Sequence, residues 1–195
     1  MPATLTAVRR RSRGRVALEV DGRPWRVVPD DVVVRCGLAA GVPLERPLLR
    51  RIRTELLRAR ALEAGLRALE RRDLSRARLE ERLRRRRLGP AAEKEAVATL
   101  EEAGLVDDAR LAHTRAQALA ARGWGDAAVA ARLRQEGLPD EAVRAALAGL
   151  SQEEERARAV AGSASDRRRA WGLLARRGFS PESAEAALGP LDGEA

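Results

Sequence analysis

Residues 133–138 read Leu-Arg-Gln-Glu-Gly-Leu, and residues 174–179 read Leu-Ala-Arg-Arg-Gly-Phe. Laid over one another at an offset of 41, they bring Val143 onto Ala184 and Leu147 onto Leu188 without a gap. An offset of 50 extends the register upstream, with Leu79 on Val129, Leu83 on Leu133 and Leu88 on Leu138. Ser75, Gly125 and Asp166 then coincide, each a residue suited to the start of a helix, where first-turn amides need acceptors. One position breaks the pattern: Arg87 stands where the later copies carry Gly137 and Gly178.

A repeat of this length, apolar at helical spacing and punctuated by glycine, reads as three short helices closing over a small core. The first helix of each copy runs from near Pro47 to Arg72, from Asp107 to about Arg122, and from Ser151, where Ser151-Gln152-Glu153-Glu154 matches a capping box. The second carries Leu79/Leu83, Val129/Leu133 or Ala170/Leu174, and the third Val97/Leu100, Val143/Leu147 or Ala184/Leu188. Gly104, Gly123, Gly137, Gly149, Gly162 and Gly178 sit where helices could end in left-handed caps. Upstream, Arg15–Val20 and Arg23–Val28 flank Asp21-Gly22, the signature of a tight hairpin. Leu5–Val8 offers a further short strand. The expected architecture is mainly α: three tandem three-helix repeats in an elongated, curved body, with a small N-terminal β-hairpin extension. The boundaries are 1–44 for the extension, 45–106 for repeat 1 with its long lead helix, 107–150 for repeat 2 and 151–195 for repeat 3.

Composition narrows the function. Cys36 and His113 are each the only residue of their type, so no cysteine-cluster or multi-histidine metal site can form. No run approaches the ~20 apolar residues of a membrane span, and no secretory leader is visible, which points to the cytoplasm. No P-loop, dinucleotide fingerprint or nucleophile elbow is present. Asp107 and Asp108 suit a helix start, where the dipole favours acids, better than a catalytic pair. We therefore expect no enzyme, no cofactor and no metal. Charge is uneven: residues 1–90 hold 24 arginines against 11 acids, whereas residues 91–195 hold 14 bases against 18 acids. A basic half favours a polyanion or an acidic protein surface.

Ala68-Leu69, Arg71-Arg72-Asp73-Leu74-Ser75 and Leu79-Glu80-Glu81-Arg82-Leu83 precede Leu100–Gly104 and Leu105-Val106-Asp107-Asp108. Arg122-Gly123-Trp124-Gly125 and Leu133–Leu138 follow. This order over roughly residues 50–190 resembles the RecX family of bacterial regulators of the RecA recombinase. Leu111 departs from the phenylalanine usual in that family. The resemblance implies three tandem three-helix repeats and a protein that lies in the helical groove of the RecA–DNA filament. There it would inhibit ATP hydrolysis and strand exchange, modulating recombinational repair and the SOS response.

On the second helix of copy one, Arg78, Arg82 and Arg85 share a flank beside Leu79 and Leu83. Aligned positions add Arg132 in copy two, and Arg169 and Arg176 in copy three. This stripe is the expected contact with the filament or with DNA, single- or double-stranded, since guanidinium pairs bidentately with carboxylate or phosphate. Arg9, Arg10, Arg11, Arg13 and Arg15 form a second cluster suited to DNA phosphates. A monomer is expected. Direct DNA binding through basic three-helix modules is the alternative reading, and a scaffold for other proteins a third. Trp124, Trp171 and Phe179 are expected to plug cores.

Overall fold

In the computed structural model, residues 3–164 and 166–189 are described; the expected domain ends at 1–2 and 190–195 lie outside them. The chain divides into two compact units, Met1–Arg72 with Leu79–Leu105, and Asp73–Arg78 with Val106–Ala195.

The first unit opens with strands β1 (Leu5–Arg11), β2 (Arg15–Val20) and β3 (Arg23–Pro29), an antiparallel meander in the order β1-β2-β3. Asp21 and Gly22 adopt φ of 50° and 76°, the two positive values a primed hairpin turn requires. The hairpin and the further strand at Leu5 both form, and that strand runs on past Val8 to Arg11. Arg9, Arg10 and Arg11 pair with Ala17, Val16 and Arg15, so this basic run is strand rather than flanking loop. Pairing satisfies the backbone, and all three side chains stay exposed. Helix α1 (Asp30–Cys36) follows, then the long α2 (Arg46–Leu69), with proline in its first turn. Leu5, Val16, Leu18, Val28, Val32, Ile52 and Leu56 form one core among these elements. Cys36 is buried there, and burial pushes its thiol pKa up, leaving it protonated.

Helix α3 (Arg76–Arg84) supplies buried Leu79 and Leu83, and α4 (Pro90–Glu102) supplies Val97 and Leu100. A Cβ on Gly65 would stand 2.6 Å from Leu100 Cδ1, so α2 and α4 meet at a residue without a side chain. The buried Glu55 carboxylate pairs with Arg58 at 2.7 Å, and Arg58 also reaches Glu95 at 2.6 Å.

The second unit holds two modules. Helices α5 (Asp108–Ala121), α6 (Asp126–Gln135) and α7 (Asp140–Ala148) close over Ala112, Ala116, Val129, Leu133 and Val143. Helices α8 (Glu153–Ala161), α9 (Arg167–Arg176) and α10 (Pro181–Leu188) close over Ala157, Ala170, Leu174 and Phe179. Trp124 and Trp171 pack against the cores of their own modules, as expected. The repeat register holds: Ser75, Gly125 and Asp166 each immediately precede a helix.

Two local expectations need correction. The capping box at Ser151 does not form: α8 starts at Glu153 with Gln152 at the N-cap position and no side-chain cap, and Glu154 pairs forward with Arg158 at 3.9 Å. Gly149 and Gly162 end their helices at φ of −86° and −60°, not in the left-handed region.

Candidate partner-binding surface

Which arginines can face a partner depends on how modules join, and residues 73–189 contain two joints built alike. At the first, Ser75 Oγ donates to the Glu136 carbonyl at 2.5 Å. The Arg76 N–H donates to the Asp108 carboxylate at 2.9 Å, and Arg78 Nη2 donates to the Gln135 carbonyl at 2.5 Å. At the second, Gly125 N–H donates to the Arg177 carbonyl at 2.9 Å and Ala127 N–H to the Gly178 carbonyl at 3.2 Å. The Asp126 N–H donates to the Glu153 carboxylate at 2.6 Å. Positions 75 and 125, 136 and 177, and 108 and 153 thus play matching parts. The first turn of one module's middle helix seats on the glycine turn of the next, and an acid from that next module satisfies the exposed first-turn amide.

The seat demands glycine. Gly137 and Gly178 have φ of 79° and 77°, and a Cβ on Gly178 would lie 2.6 Å from Ala128 Cβ and 2.7 Å from Ala128 N. Arg87, their counterpart in the first copy, keeps the same left-handed backbone at φ 53° with its side chain exposed. No module precedes it among the described residues, so a Cβ is tolerated there.

Glu153 is the centre of the second joint. Burial pushes its carboxyl pKa up, but hydrogen bonds from Asp126 N–H and from Ser180 and Ser183 outweigh this and hold it below the ordinary value. The nearly buried Arg156 completes the joint, donating to the Trp124 carbonyl at 3.1 Å and pairing with Asp126. Arg177 donates to the carbonyls of Arg122 and Gly123.

Against this frame the six stripe arginines separate. Arg78 serves a joint. Arg132 stacks on the Trp124 ring, 3.4 Å from its centroid, inside its own module. Arg85 lies just past the end of α3 and pairs with Glu81 at 2.5 Å, while Arg169 pairs with Asp166 at 3.3 Å; both remain largely in water. Arg82 and Arg176 are exposed. Arg169 and Arg176 meet in an open groove of about 780 Å³ on α9, with Arg168, Gly172 and Leu173 along it. Arg168 was missed by the flank argument; its signal was the replacement of Ala77 and Ala127 by arginine at the aligned position. In the strand cluster, Arg9 pairs with Glu19 at 3.0 Å and Arg15 with Glu63 at 3.6 Å, while Arg10, Arg11 and Arg13 are exposed. Among the described residues, no group of three or more acids, histidines or cysteines could hold a metal, and no helix is long and apolar enough to cross a membrane.

Residues 107–147, which include α5 and α6 and most of α7, match the family model of the second three-helix domain of RecX. The chain is 40% identical over 139 residues to the regulatory protein RecX of Thermobifida fusca, covering 65% of this chain and 75% of that one. The chain belongs to the RecX family. A second relative, the regulatory protein RecX of Stenotrophomonas maltophilia, is 36% identical over 155 residues, with 74% of this chain and 91% of the relative covered. A crystal structure of regulatory protein RecX superposes with a TM-score of 0.81 at 21% identity, covering 95% of this chain and 98% of the other. RecX from Lactobacillus salivarius superposes with a TM-score of 0.63 at 17% identity, over 67% and 94%. The mainly helical RecX fold is therefore shared, including at identities where side chains have largely diverged. The RecX relatives are regulatory proteins by name.

Proposed function

We propose that this chain is a cytoplasmic regulator that binds the RecA–DNA filament in its helical groove and inhibits ATP hydrolysis and strand exchange, modulating recombinational DNA repair. Membership of the RecX family supports the regulatory role, and the arginine-lined groove on α9 is the observation that supports a contact surface. Blocking a filament needs no bond-making, only simultaneous contact with more than one subunit. Arg82, Arg85, Arg169 and Arg176 face the filament, and their separate weak contacts combine through effective concentration. Arg78 acts indirectly, by holding modules in register, and Arg132 by bracing Trp124 inside its own module. Arg9, Arg10, Arg11, Arg13 and Arg15 reach the phosphates of the DNA that the filament carries. The protein acts as a monomer, without cofactor or catalysis.

The test measures RecA-catalysed ATP hydrolysis on single-stranded DNA at substoichiometric protein, beside binding to naked DNA at the same salt. Strong inhibition with weak naked-DNA binding supports the proposal. Naked-DNA binding tight enough to account for all the inhibition replaces it with direct DNA binding.

A further inference from the structure

The two joints define an edge, and α9 carries its third copy. In the inner copies this edge is sealed: Ser75 is 1% exposed and Gly125 is buried. Asp166, the aligned residue, keeps 50% of its side chain in water. No further module follows among the described residues to cover it. The edge has also changed chemistry, since Ala77 and Ala127 align with Arg168, and Ala128 aligns with Arg169.

We infer that this outer edge, with the adjoining groove along Gly172, Leu173 and Arg176, docks the C-terminal end of an acidic helix on a partner protein. The inner edges supply the template. Each holds the end of a helix, its free carbonyls (Gln135 and Glu136, or Arg177 and Gly178) and one carboxylate (Asp108 or Glu153). A helix C-terminus carries unpaired carbonyls and partial negative charge, and guanidinium offers five donors to both. Arg78 already makes this contact within the chain, and Arg169 occupies the aligned position. Arginine in place of alanine at 168 fills the seat of a glycine turn, so the occupant stands farther out and is held through guanidinium arms. A second copy of this chain fits poorly: its turn after α3 reads Arg85-Arg86-Arg87, like charge against like.

The inference rests on the filament as partner, and the experiment separates the two. Benzoylphenylalanine replaces Leu173, and RecA filaments on oligo(dT) serve as the probe for photocrosslinking. Inhibition of ATP hydrolysis is titrated for wild type, Arg168→Glu, and Arg168→Glu with Arg169→Glu. The crosslink is expected on a RecA helix end with an Asp or Glu within one turn. The half-inhibitory concentration should rise about threefold for the single variant and about tenfold for the double, with unchanged helical circular dichroism. Arg168→Glu leaves the Asp166–Arg169 pair intact, so it guards against a folding defect. A crosslink to DNA or to a second copy overturns the inference. So does undiminished inhibition by the double variant while wild type inhibits, in which case the proposed function survives. If wild type neither crosslinks nor inhibits, the filament reading falls and this inference falls with it.

Discussion

Replacing Gly178 with alanine should damage the second unit more than the same change at any other left-handed helix end. Two penalties add. An L side chain at φ 77° costs roughly 1–2 kcal/mol. The new Cβ would also sit 2.6 Å and 2.7 Å from Ala128 Cβ and N, and the nitrogen belongs to a helix backbone that cannot swing aside. Overpacking of this kind costs about 1–3 kcal/mol, and relief by sliding would stretch the Gly125–Arg177 and Ala127–Gly178 hydrogen bonds. Gly178→Ala is therefore expected to cost about 2–5 kcal/mol. Gly104 isolates the backbone part, because its φ is 68° and nothing lies within 4 Å of a Cβ there; Gly104→Ala should cost about 1–2 kcal/mol. Gly137, whose Cβ would meet Ala77 Cβ and Ser75 Oγ at 3.2 Å, should fall between. The reverse change, Arg87→Gly, relieves backbone strain without touching a joint and should be within about 1 kcal/mol of neutral. Urea unfolding followed by circular dichroism gives the ranking. Equal losses at Gly178 and Gly104 would refute the close seat between modules.

Other perturbations probe the same joints. Glu153→Gln should cost about 1–2 kcal/mol, since it weakens hydrogen bonds that several donors make to a charged acceptor. The Glu153 pKa is lower in the folded chain than the ordinary 4.3 or so, so its contribution is complete above about pH 5 and is lost as pH falls through the folded value. Thermal melts between pH 6 and pH 3 should show a shallower acid loss for the variant, and identical slopes would count against the assignment. Ser75→Ala removes both a first-turn acceptor for Arg78 N–H and the donor to Glu136, at about 1–2 kcal/mol by urea unfolding. Arg132→Ala should cost about 1 kcal/mol, through loss of the stack on Trp124, and should shift the tryptophan emission. An unaltered spectrum would argue that the guanidinium spends its time in water.

The helical modules were legible because their signal is local. Apolar spacing, Ser75 and Asp166 at helix starts, and Gly137 and Gly178 at helix ends all speak through residues near in sequence. Even the anomaly at Arg87 was visible as a missing glycine, although its cause, a seat with nothing pressing on it, lies in tertiary contact. The arginines resisted reading for the opposite reason. A helical wheel places Arg78, Arg132 and Arg169 on comparable flanks. It cannot tell that one grips a carbonyl 57 residues away, another lies on an indole, and the third stays beside its own cap. Glu153 shows the same limit: nothing near it in sequence reveals that the amides of Asp126 and Ser180, each 27 residues away, donate to its carboxylate. In β1, the run Arg9–Arg11 carries no apolar alternation, so only its pairing with β2 reveals it as strand.

Each joint is also polar in the directional sense. At the first, one side gives amides, a hydroxyl and a guanidinium and the other gives carbonyls and a carboxylate; at the second, amides from one side meet carbonyls and a carboxylate, while Arg156 and Arg177 donate back from the other. The two sides are different surfaces, a helix start against a glycine turn, so such an edge is built for heterologous, front-to-back association. Any duplication of a module within the gene would lengthen the row from one end to the other, and whatever protein meets the last edge must approach with its own helix pointing the right way.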